Sequence, residues 1–287
     1  MKGVILAGGL GTRLYPATLG VSKQLIPIYD KPMIYYPLSV LMLAGIKNIL
    51  IIHSPHDHQS FKRILGDGSQ LGMTISYACQ SEPRGIADAF SVAESFINKN
   101  PVTLILGDNI FYGAGFKGLL HSTIQSNQGC TVFGYNVAEP KAYGVASFDE
   151  TGRLNGIIEK PRIPPSNIAI PGLYIYDGSV CERAKSLKPS DRGELEVTDL
   201  NNSYLVDGKL SIAKLPRGFA WLDTGTHESL MEASQFVRAV EKSQCLKIGC
   251  IEEVAFRNNW IDRQLLSALA EPLSKTQYGK YLKKLLT

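Results

Sequence analysis

A glycine-rich loop near the start of the chain, with one arginine and one lysine after it, has the residues needed to bind a polyphosphate. The apolar segment 4–7 leads into the loop 8–12, Arg13 follows at once, and Lys23 comes soon afterwards. Glycines let consecutive backbone N–H groups turn toward one anion. Arg13 can add a bidentate contact, and Lys23 a mobile point charge. The spacing therefore predicts a polyphosphate site.

The loop matches neither of the two common glycine motifs for nucleotides. A P-loop ends in Gly-Lys-Ser/Thr, whereas Gly11 is followed by Thr12 and Arg13. A dinucleotide fingerprint needs a third glycine where this chain has Leu14. Taken alone, the loop could equally be an ordinary tight turn. Its interpretation depends on residues elsewhere in the chain.

The composition is that of an ordinary globular protein. The chain has 287 residues, is 44% apolar and 20% charged, and carries a net charge of +4 without a long basic stripe. These values are typical of a globular protein with a full core and do not favour nucleic-acid binding. The five cysteines are scattered and never spaced Cys-x-x-Cys, which favours reduced thiols over disulfides or zinc. With no apolar run of membrane-spanning length and an apolar N-terminus too short for a signal peptide, we predict a cytoplasmic protein without membrane contact.

The first half of the chain alternates apolar runs with amphipathic segments. Strands are predicted at 3–7, 48–53, 74–79 and 102–106, with helices at 33–44, 57–65 and 85–97 between them. This alternation predicts an α/β protein with a Rossmann-like, mostly parallel sheet flanked by helices. Ligands of such sheets gather beyond the carboxyl ends of the strands. The segments 8–13 and 107–109 should therefore lie at one edge.

The second half changes character at residue 131. Strands are predicted at 131–136, 144–149, 154–159, 167–176 and 210–215, and helices at 178–187 and 195–206. From Thr226, a candidate N-cap, the pattern is mainly helical. We predict a core domain of residues 1–225, which includes a β-rich insertion at about 131–215. The helical region 226–287 should pack on this core and at subunit contacts.

Two aspartates could bind a metal ion. Asp108 follows a predicted buried strand at the same edge as the glycine loop, where its charge would repel a polyphosphate. A Mg²⁺ ion between them resolves this conflict, because Mg²⁺ binds carboxylates together with phosphate oxygens. The metal role is therefore favoured over that of a turn former. For Asp223, in a glycine-containing turn before a helix, the cap and metal roles are evenly balanced.

Other polar residues are less specific. Glu159 and Lys160 end a predicted strand, where neighbouring side chains face opposite ways, and alone they are typical of a solvated strand end. Gln80 and Gly85 could present an amide and a backbone N–H to a base, or form ordinary turns. The acidic residues of 194–199 are interpreted as surface charge.

Long segments resemble the sugar-1-phosphate nucleotidyltransferases, and most closely their glucose-1-phosphate thymidylyltransferase branch. The matching segments are 6–16, 22–25, 29–38, 106–113, 193–196 and 218–227, so the resemblance extends over nearly the whole chain. The chain departs from the usual pattern at Leu10, where serine is common, and at Asp88, where glutamine is common. Pro171 lacks an N–H that many relatives could offer on the sugar side.

The resemblance implies a reaction in which dTTP and α-D-glucose 1-phosphate give dTDP-glucose and pyrophosphate, the first step of dTDP-L-rhamnose synthesis. It also implies a homotetramer, Mg²⁺ as cofactor, and inhibition by dTDP-rhamnose at a separate site. The residues that it implies are Gly8, Gly11, Thr12, Arg13, Lys23 and Asp108 for the nucleotide phosphates, Gln24, Gln80 and Gly85 for the nucleoside, Asp108 and Asp223 for Mg²⁺, and Gly144, Glu159, Lys160 and Tyr174 for the sugar phosphate. Arg13, Lys23 and Lys160 would be the catalytic residues among them.

Two other classes of protein fit less well. A metal-dependent glycosyltransferase would usually carry Asp-x-Asp, whereas Asp108 is followed by asparagine and isoleucine. A nucleotide-binding regulator without catalytic activity could keep the glycine loop but lack the carboxylates that bind a metal, or the lysines. This chain keeps Lys23, Asp108, Lys160 and Asp223, which favours an enzyme.

Overall fold

The apolar segment at the N-terminus forms a strand at the centre of the larger sheet. In the computed structural model, which describes residues 1–287, this strand is β1 (Lys2–Ala7), and parallel strands lie on both sides of it. Val4 and Ile5 are fully buried and belong to two different hydrophobic clusters, one on each face of the sheet. Burial on both faces is what a continuous apolar run in a parallel sheet requires.

The remaining strands and helices follow in chain order. The strands are β2 (Pro27–Ile28), β3 (Lys31–Pro32), β4 (Asn48–His53), β5 (Thr74–Cys79), β6 (Val102–Leu106), β7 (Asn109–Tyr112), β8 (Cys130–Asn136), β9 (Gly144–Phe148), β10 (Leu154–Glu159), β11 (Ile168–Ala169), β12 (Leu173–Tyr176), β13 (Leu210–Lys214) and β14 (Ala220–Asp223). The helices are α1 (Tyr35–Leu43), α2 (His58–Leu65), α3 (Ala89–Val92), α4 (Glu94–Ile97), α5 (Phe116–Ser126), α6 (Val180–Lys185), α7 (Val197–Val206), α8 (His227–Gln244), α9 (Ile251–Arg257), α10 (Arg263–Ala270) and α11 (Gln277–Lys284).

Ten strands form one sheet in the order β10-β9-β11-β8-β12-β6-β1-β4-β5, with β13 also paired to β8. The half built from β6, β1, β4 and β5 is parallel. Strand β12 joins this half to the β-rich insertion through antiparallel ladders with β6 and β8. The predicted α/β fold class, with its β-rich insertion and helical C-terminal region, is confirmed.

Several predicted elements differ in detail. The helix predicted at 85–97 is two short helices, α3 and α4, which meet at Ala93. The strand predicted at 167–176 is divided into β11 and β12 around Pro171, whose ring nitrogen cannot donate to a ladder. Strands β7 and β14 were not predicted, and they pair antiparallel with Asp223 opposite Asn109.

At one of the two outer edges of the large sheet, that of β10, a side chain binds the backbone of one residue. Strand β10 pairs only with β9, so its other edge has no neighbouring strand. Asn202 on α7 accepts a hydrogen bond from the Ile157 N–H at 3.0 Å and donates one to the Ile157 carbonyl at 2.8 Å. The amide thus takes the place of one residue of a missing strand.

The C-terminal helices pack on the first half of the chain around buried charges. Lys31 and Glu241 have side chains only 2% and 3% exposed, and Lys31 Nζ lies 2.9 Å from Glu241 Oε1. Glu241 also pairs with Lys247 and accepts a hydrogen bond from the Ile248 N–H at 3.0 Å. Thr226 is the N-cap of α8, as predicted, and forms a capping box with Ser229. None of the helices combines the length and apolar character needed to cross a membrane.

Glu241→Ala is expected to lower the free energy of unfolding by about 3 kcal/mol, because it leaves two lysines, Lys31 and Lys247, with Asp30 as their one remaining carboxylate partner. Urea denaturation followed by circular dichroism measures this change. Glu232→Ala, an exposed position on the same helix, is the control and is expected to change stability by less than about 0.5 kcal/mol. Equal stability of the two variants would contradict the prediction.

Candidate active site

The glycine loop begins where β1 ends, at the carboxyl edge of the parallel strands. Gly9 and Gly11 have φ angles of 94° and 59°, a left-handed region that residues with a Cβ rarely adopt. Thr18 holds the loop from below, since its hydroxyl donates to the Gly11 carbonyl at 2.8 Å. The loop therefore has the turned conformation that anion-binding loops use, and Thr18 supports it.

Two cavities of about 500 Å³ and 260 Å³ lie at this edge and share part of their lining. Arg13, Asp108 and Asp223 line the larger one together. Twelve of the predicted site residues line one cavity or both: Gly8, Gly11, Thr12, Arg13, Lys23, Gln24, Asp108, Gly144, Glu159, Lys160, Tyr174 and Asp223. Gln80 and Gly85 line neither cavity. Stretches that are far apart in the sequence thus converge on one site.

Arg13 and Lys23, the two cationic side chains near the glycine loop, differ in their surroundings. The Arg13 guanidinium lies over Gly225, with Nη1 3.3 Å from where a Cβ would stand, and it joins none of the protein's ion pairs. Lys23 is buried and its Nζ lies 2.7 Å from Asp108 Oδ2. Arg13 is therefore available to an anionic ligand, whereas Lys23 neutralises Asp108.

The pairing of β7 with β14 brings the two aspartates to one place. Asp108 directly precedes β7, and Asp223 ends β14 opposite Asn109. Thr224 ties the strands together, because its N–H and its hydroxyl both donate to the Asp108 carbonyl, at 3.2 and 2.8 Å. Asn109 Nδ2 donates to Asp108 Oδ1 at 2.9 Å, and its Oδ1 accepts from the Trp221 indole at 2.6 Å.

The chemistry of this pair suits a divalent cation. Burial, and next the charge of Asp108, raise the pKa of Asp223 to about 6, against the lowering effects of Lys23, Arg13 and Lys160. The Asp223 carboxylate takes part in no ion pair with these cations, and the residue lines the larger cavity. No group of three or more acidic, histidine or cysteine side chains could hold a metal by itself. Two carboxylates supplemented by phosphate oxygens are a typical environment for Mg²⁺.

The sugar-side residues correct one expectation. Glu159 ends β10, and Lys160 has a φ of 42°, so the chain leaves the extended conformation between them. Their side chains therefore line the same cavity, with Lys160 Nζ 3.6 Å from Glu159 Oε1, and the prediction that they face opposite ways is wrong. The Thr198 hydroxyl donates to Glu159 Oε2 at 2.7 Å and fixes that carboxylate. Burial raises the pKa of the nearby Tyr174 well above its usual range.

Of the three residues implied for the nucleoside, Gln24 lines the cavities, whereas Gln80 and Gly85 lie next to residues that do. Gln80 Oε1 is 3.1 Å from where a Cβ on Gly8 would stand, so its amide lies directly against the loop. Gly85 has a φ of 102°, and a Cβ there would lie 2.4 Å from the Leu195 carbonyl oxygen. Only glycine permits this close approach. Gln24 lines both cavities, with Oε1 accepting from Ser22 at 2.8 Å.

Sequence reasoning missed an arginine and two glutamates of the larger cavity. Arg192 binds Glu196 with Nη2 to both carboxylate oxygens, at 2.9 and 2.8 Å, and its Nη2 is 3.6 Å from Glu159 Oε1. Glu194 and Glu196 line the cavity. Glu196 is buried, so its interpretation as surface charge is wrong, whereas the Glu194 side chain is 42% exposed and Asp199 is exposed. Helix α7 starts only at Val197, and both glutamates precede it.

Comparison with known proteins identifies the family. A family model described as nucleotidyl transferase matches residues 2–240. The chain belongs to the nucleotidyl transferase family.

Within the nucleotidyl transferase family, the similar curated proteins are glucose-1-phosphate thymidylyltransferases. One from Neisseria meningitidis is 58% identical over 286 residues, covering 100% of this chain and 99% of the relative. One from Mycobacterium tuberculosis is 53% identical with the same coverage. The resemblance seen in the sequence is thereby confirmed.

Solved structures place the fold in the same nucleotidyl transferase family. A Bacillus anthracis protein crystallised with sucrose, and assigned provisionally as a glucose-1-phosphate thymidylyltransferase, has a TM-score of 0.76 and 39% identity. It matches 83% of this chain and 95% of its own. A UDP-glucose pyrophosphorylase in complex with UDP-glucose has a TM-score of 0.73 and 25% identity, covering 83% of this chain and 98% of its own.

Proposed function

We propose that this nucleotidyltransferase transfers the thymidylyl group of dTTP to α-D-glucose 1-phosphate. The products are dTDP-glucose, the precursor of dTDP-L-rhamnose, and pyrophosphate. The observation that carries the proposal is the convergence of Arg13, Asp108, Lys160 and Asp223 on one cavity. The names of full-length relatives at 58% and 53% identity support the choice of substrates.

The proposed step is an in-line displacement. An oxygen of the sugar phosphate attacks the α-phosphorus of dTTP, the new P–O bond forms, and the bond to the bridging oxygen breaks as pyrophosphate leaves. The attacking oxygen is already ionised near neutral pH, so no general base is required. Alignment and neutralisation of two anions supply most of the catalysis in such reactions.

The residues divide this work between the two reactants. Arg13 and the N–H groups of the loop 8–12 bind the departing pyrophosphate, while Lys160 aligns the sugar phosphate. Glu159, fixed by Thr198, accepts hydrogen bonds from sugar hydroxyls. Gly144 and Tyr174 complete the sugar side, and Lys23 contributes charge to the nucleotide phosphates. These roles are proposals that rest on the positions of the side chains.

We propose Mg²⁺ as the cofactor, held by Asp108 and Asp223. When bound, the ion neutralises phosphate oxygens and favours the approach of the two anionic substrates. The raised pKa of Asp223 supports this assignment, because two close carboxylates are stabilised by a cation.

Pyrophosphate release with dTTP and glucose 1-phosphate in Mg²⁺ tests the function. We expect release with dTTP, and a preference over UTP limited to about 1–3 kcal/mol, since one methyl group distinguishes the bases. Release from UTP alone would support a uridylyltransferase instead. No release from either nucleotide would support a nucleotide sensor and contradict the proposal.

Assembly and regulation remain proposals as well. We propose a homotetramer, a separate site for the end product dTDP-rhamnose, and the division of the chain into 1–225 and 226–287. The ion pair of Lys31 and Glu241, which joins these two regions, supports close packing between them. All five cysteines are free thiols, which supports a cytoplasmic location.

A further inference from the structure

A buried carboxylate determines how Gln80 is turned. Asp88 is 2% exposed, and its Oδ2 accepts a hydrogen bond from Gln80 Nε2 at 2.9 Å. Its other oxygen, Oδ1, pairs with Arg84 Nη2 at 3.2 Å. An ionised carboxylate only accepts hydrogen bonds, so it selects the NH₂ side of the Gln80 amide. The reverse orientation would bring two acceptors together in a buried place.

The other end of the same amide has no partner in the protein. Gln80 Oε1 accepts no hydrogen bond, yet no buried side-chain oxygen or nitrogen lacks a partner. The Oε1 atom is therefore not fully buried, and it lies beside Gly8 of the glycine loop. The Gln80 N–H donates to the His53 carbonyl at 2.9 Å and holds the backbone in place. The protein thus presents a fixed acceptor next to the phosphate-binding loop.

Gln24, the residue after Lys23, also lies beside Gly8, but its amide is held less firmly. Its Oε1 accepts from the Ser22 hydroxyl at 2.8 Å, and its Nε2 lies 3.5 Å from the Gly8 carbonyl. A hydroxyl can donate or accept, so Ser22 tolerates either orientation of the Gln24 amide. The Gly8 carbonyl also only accepts, but its bond to Gln24 is 3.5 Å long, whereas the bond from Gln80 to Asp88 is 2.9 Å, so the Gln80 amide is the more firmly oriented of the two.

Pyrimidine bases differ at the atom that such an acceptor would meet. Thymine and uracil carry an N3–H donor, whereas cytosine has an unprotonated N3 that only accepts. A glutamine oxygen satisfies the first and repels the second, and enzymes commonly recognise bases at this Watson–Crick edge. A site built around a fixed polar group rejects the mismatched ligand strongly, because the buried group then stays unpaired.

We propose that Asp88 is a positioning residue that makes the site select bases with an imino N–H, by holding Gln80 with its oxygen toward the nucleotide. The inference rests on the proposed function for the location of the nucleotide and goes beyond it in naming what sets the choice against cytosine. Arg84 contributes by pairing with the far oxygen of Asp88.

Asp88→Asn tests this directly, since it keeps the size of the side chain and supplies a donor as well as an acceptor. We measure binding of dTDP and dCDP by calorimetry, and pyrophosphate release from dTTP, UTP and dCTP. The preference for thymine over cytosine is expected to fall by about tenfold, the worth of one net hydrogen bond. The preference between dTTP and UTP should stay unchanged, because a methyl group reports on packing and not on the Gln80 amide.

A double-mutant comparison separates positioning from general damage. In a Gln80→Ala background, Asp88→Asn is expected to leave the ratio of dTDP to dCDP affinity unchanged, since there is no amide to turn. Glu82→Gln, an exposed change in the same loop, is the matched control and should keep the parent ratio. The Asp88 side chain makes no cap hydrogen bond to α3, so the variant is expected to fold. Asp88→Ser, with a hydroxyl that accepts or donates, repeats the test if it does not.

The outcomes are distinguishable from failure of the proposed function. Absence of pyrophosphate release by the parent protein would overturn the reaction but leave the binding ratios to decide the role of Asp88. A parent without preference for dTDP over dCDP would overturn the inference. It would also be overturned if Asp88→Asn kept the parent ratio of dTDP to dCDP affinity within about twofold. An equal change of this ratio by Asp88→Asn in the Gln80→Ala background would overturn it as well.

Discussion

Replacing Arg13 by alanine is expected to lower turnover by ~10²–10³, the usual effect of removing one transition-state donor from a preorganised site. The guanidinium lies against Gly225 and joins no ion pair in the protein, so its removal breaks no ion pair of the fold. The loss should therefore be seen in activity and not in stability. Steady-state pyrophosphate release and thermal melting of the same preparation measure the two effects.

Matched variants sharpen this prediction. Arg13→Lys keeps the charge but loses the planar fork, and it should recover only part of the rate. Arg63→Ala, an exposed change on α2 away from both cavities, should turn over like the parent. A turnover for Arg13→Ala within about threefold of the parent would remove Arg13 from the proposed role.

Asp108→Asn is expected to lower turnover by about 10³, since it removes a metal carboxylate whose ion contributes several kcal/mol to the transition state. It also leaves the buried Lys23 without its partner at 2.7 Å. The Mg²⁺ concentration for half-maximal rate should rise as well. A magnesium titration of the initial rate at saturating substrates measures both changes.

The control is a variant that loses one negative charge in the same way but far from the site. Glu150→Gln lies in the exposed turn between β9 and β10 and should leave the magnesium titration unchanged. If Asp108→Asn reached the parent rate in excess Mg²⁺, Asp108 would have a minor part in binding the ion, and Asp223 would have to hold it with substrate oxygens alone.

The parallel half of the fold was predictable because its signals are local. Strands such as β1 and β6 are continuous apolar runs, and the glycines after β1 mark the loop that follows it. Because Gly8 and Asp108 each follow a parallel strand, they were expected at the same edge of the sheet from the strand assignment alone. The confirmed strands at 48–53, 74–79 and 102–106 belong to this class.

The geometry of the site was less predictable because it depends on contacts distant in sequence. Asp223 meets Asp108 through the pairing of β7 with β14, two strands of four residues separated by more than a hundred positions. Nothing in either segment indicates its partner. The direction of the Lys160 side chain depends on the φ angle of Lys160, which is 42°. The pattern of the preceding strand does not predict this angle. The sequence therefore predicted which residues line the site more accurately than it predicted how their side chains are arranged.

The amide of Asn202 on the outermost strand has a consequence for assembly. An exposed strand edge invites a neighbouring molecule to extend the sheet, and many proteins block such growth with a side chain or a charge. Because Asn202 already occupies the N–H and carbonyl of Ile157, an incoming polypeptide would have to displace both hydrogen bonds. At the β10 edge, a multimer of this chain should therefore associate through side-chain surfaces and not by continuing the sheet into a neighbouring subunit.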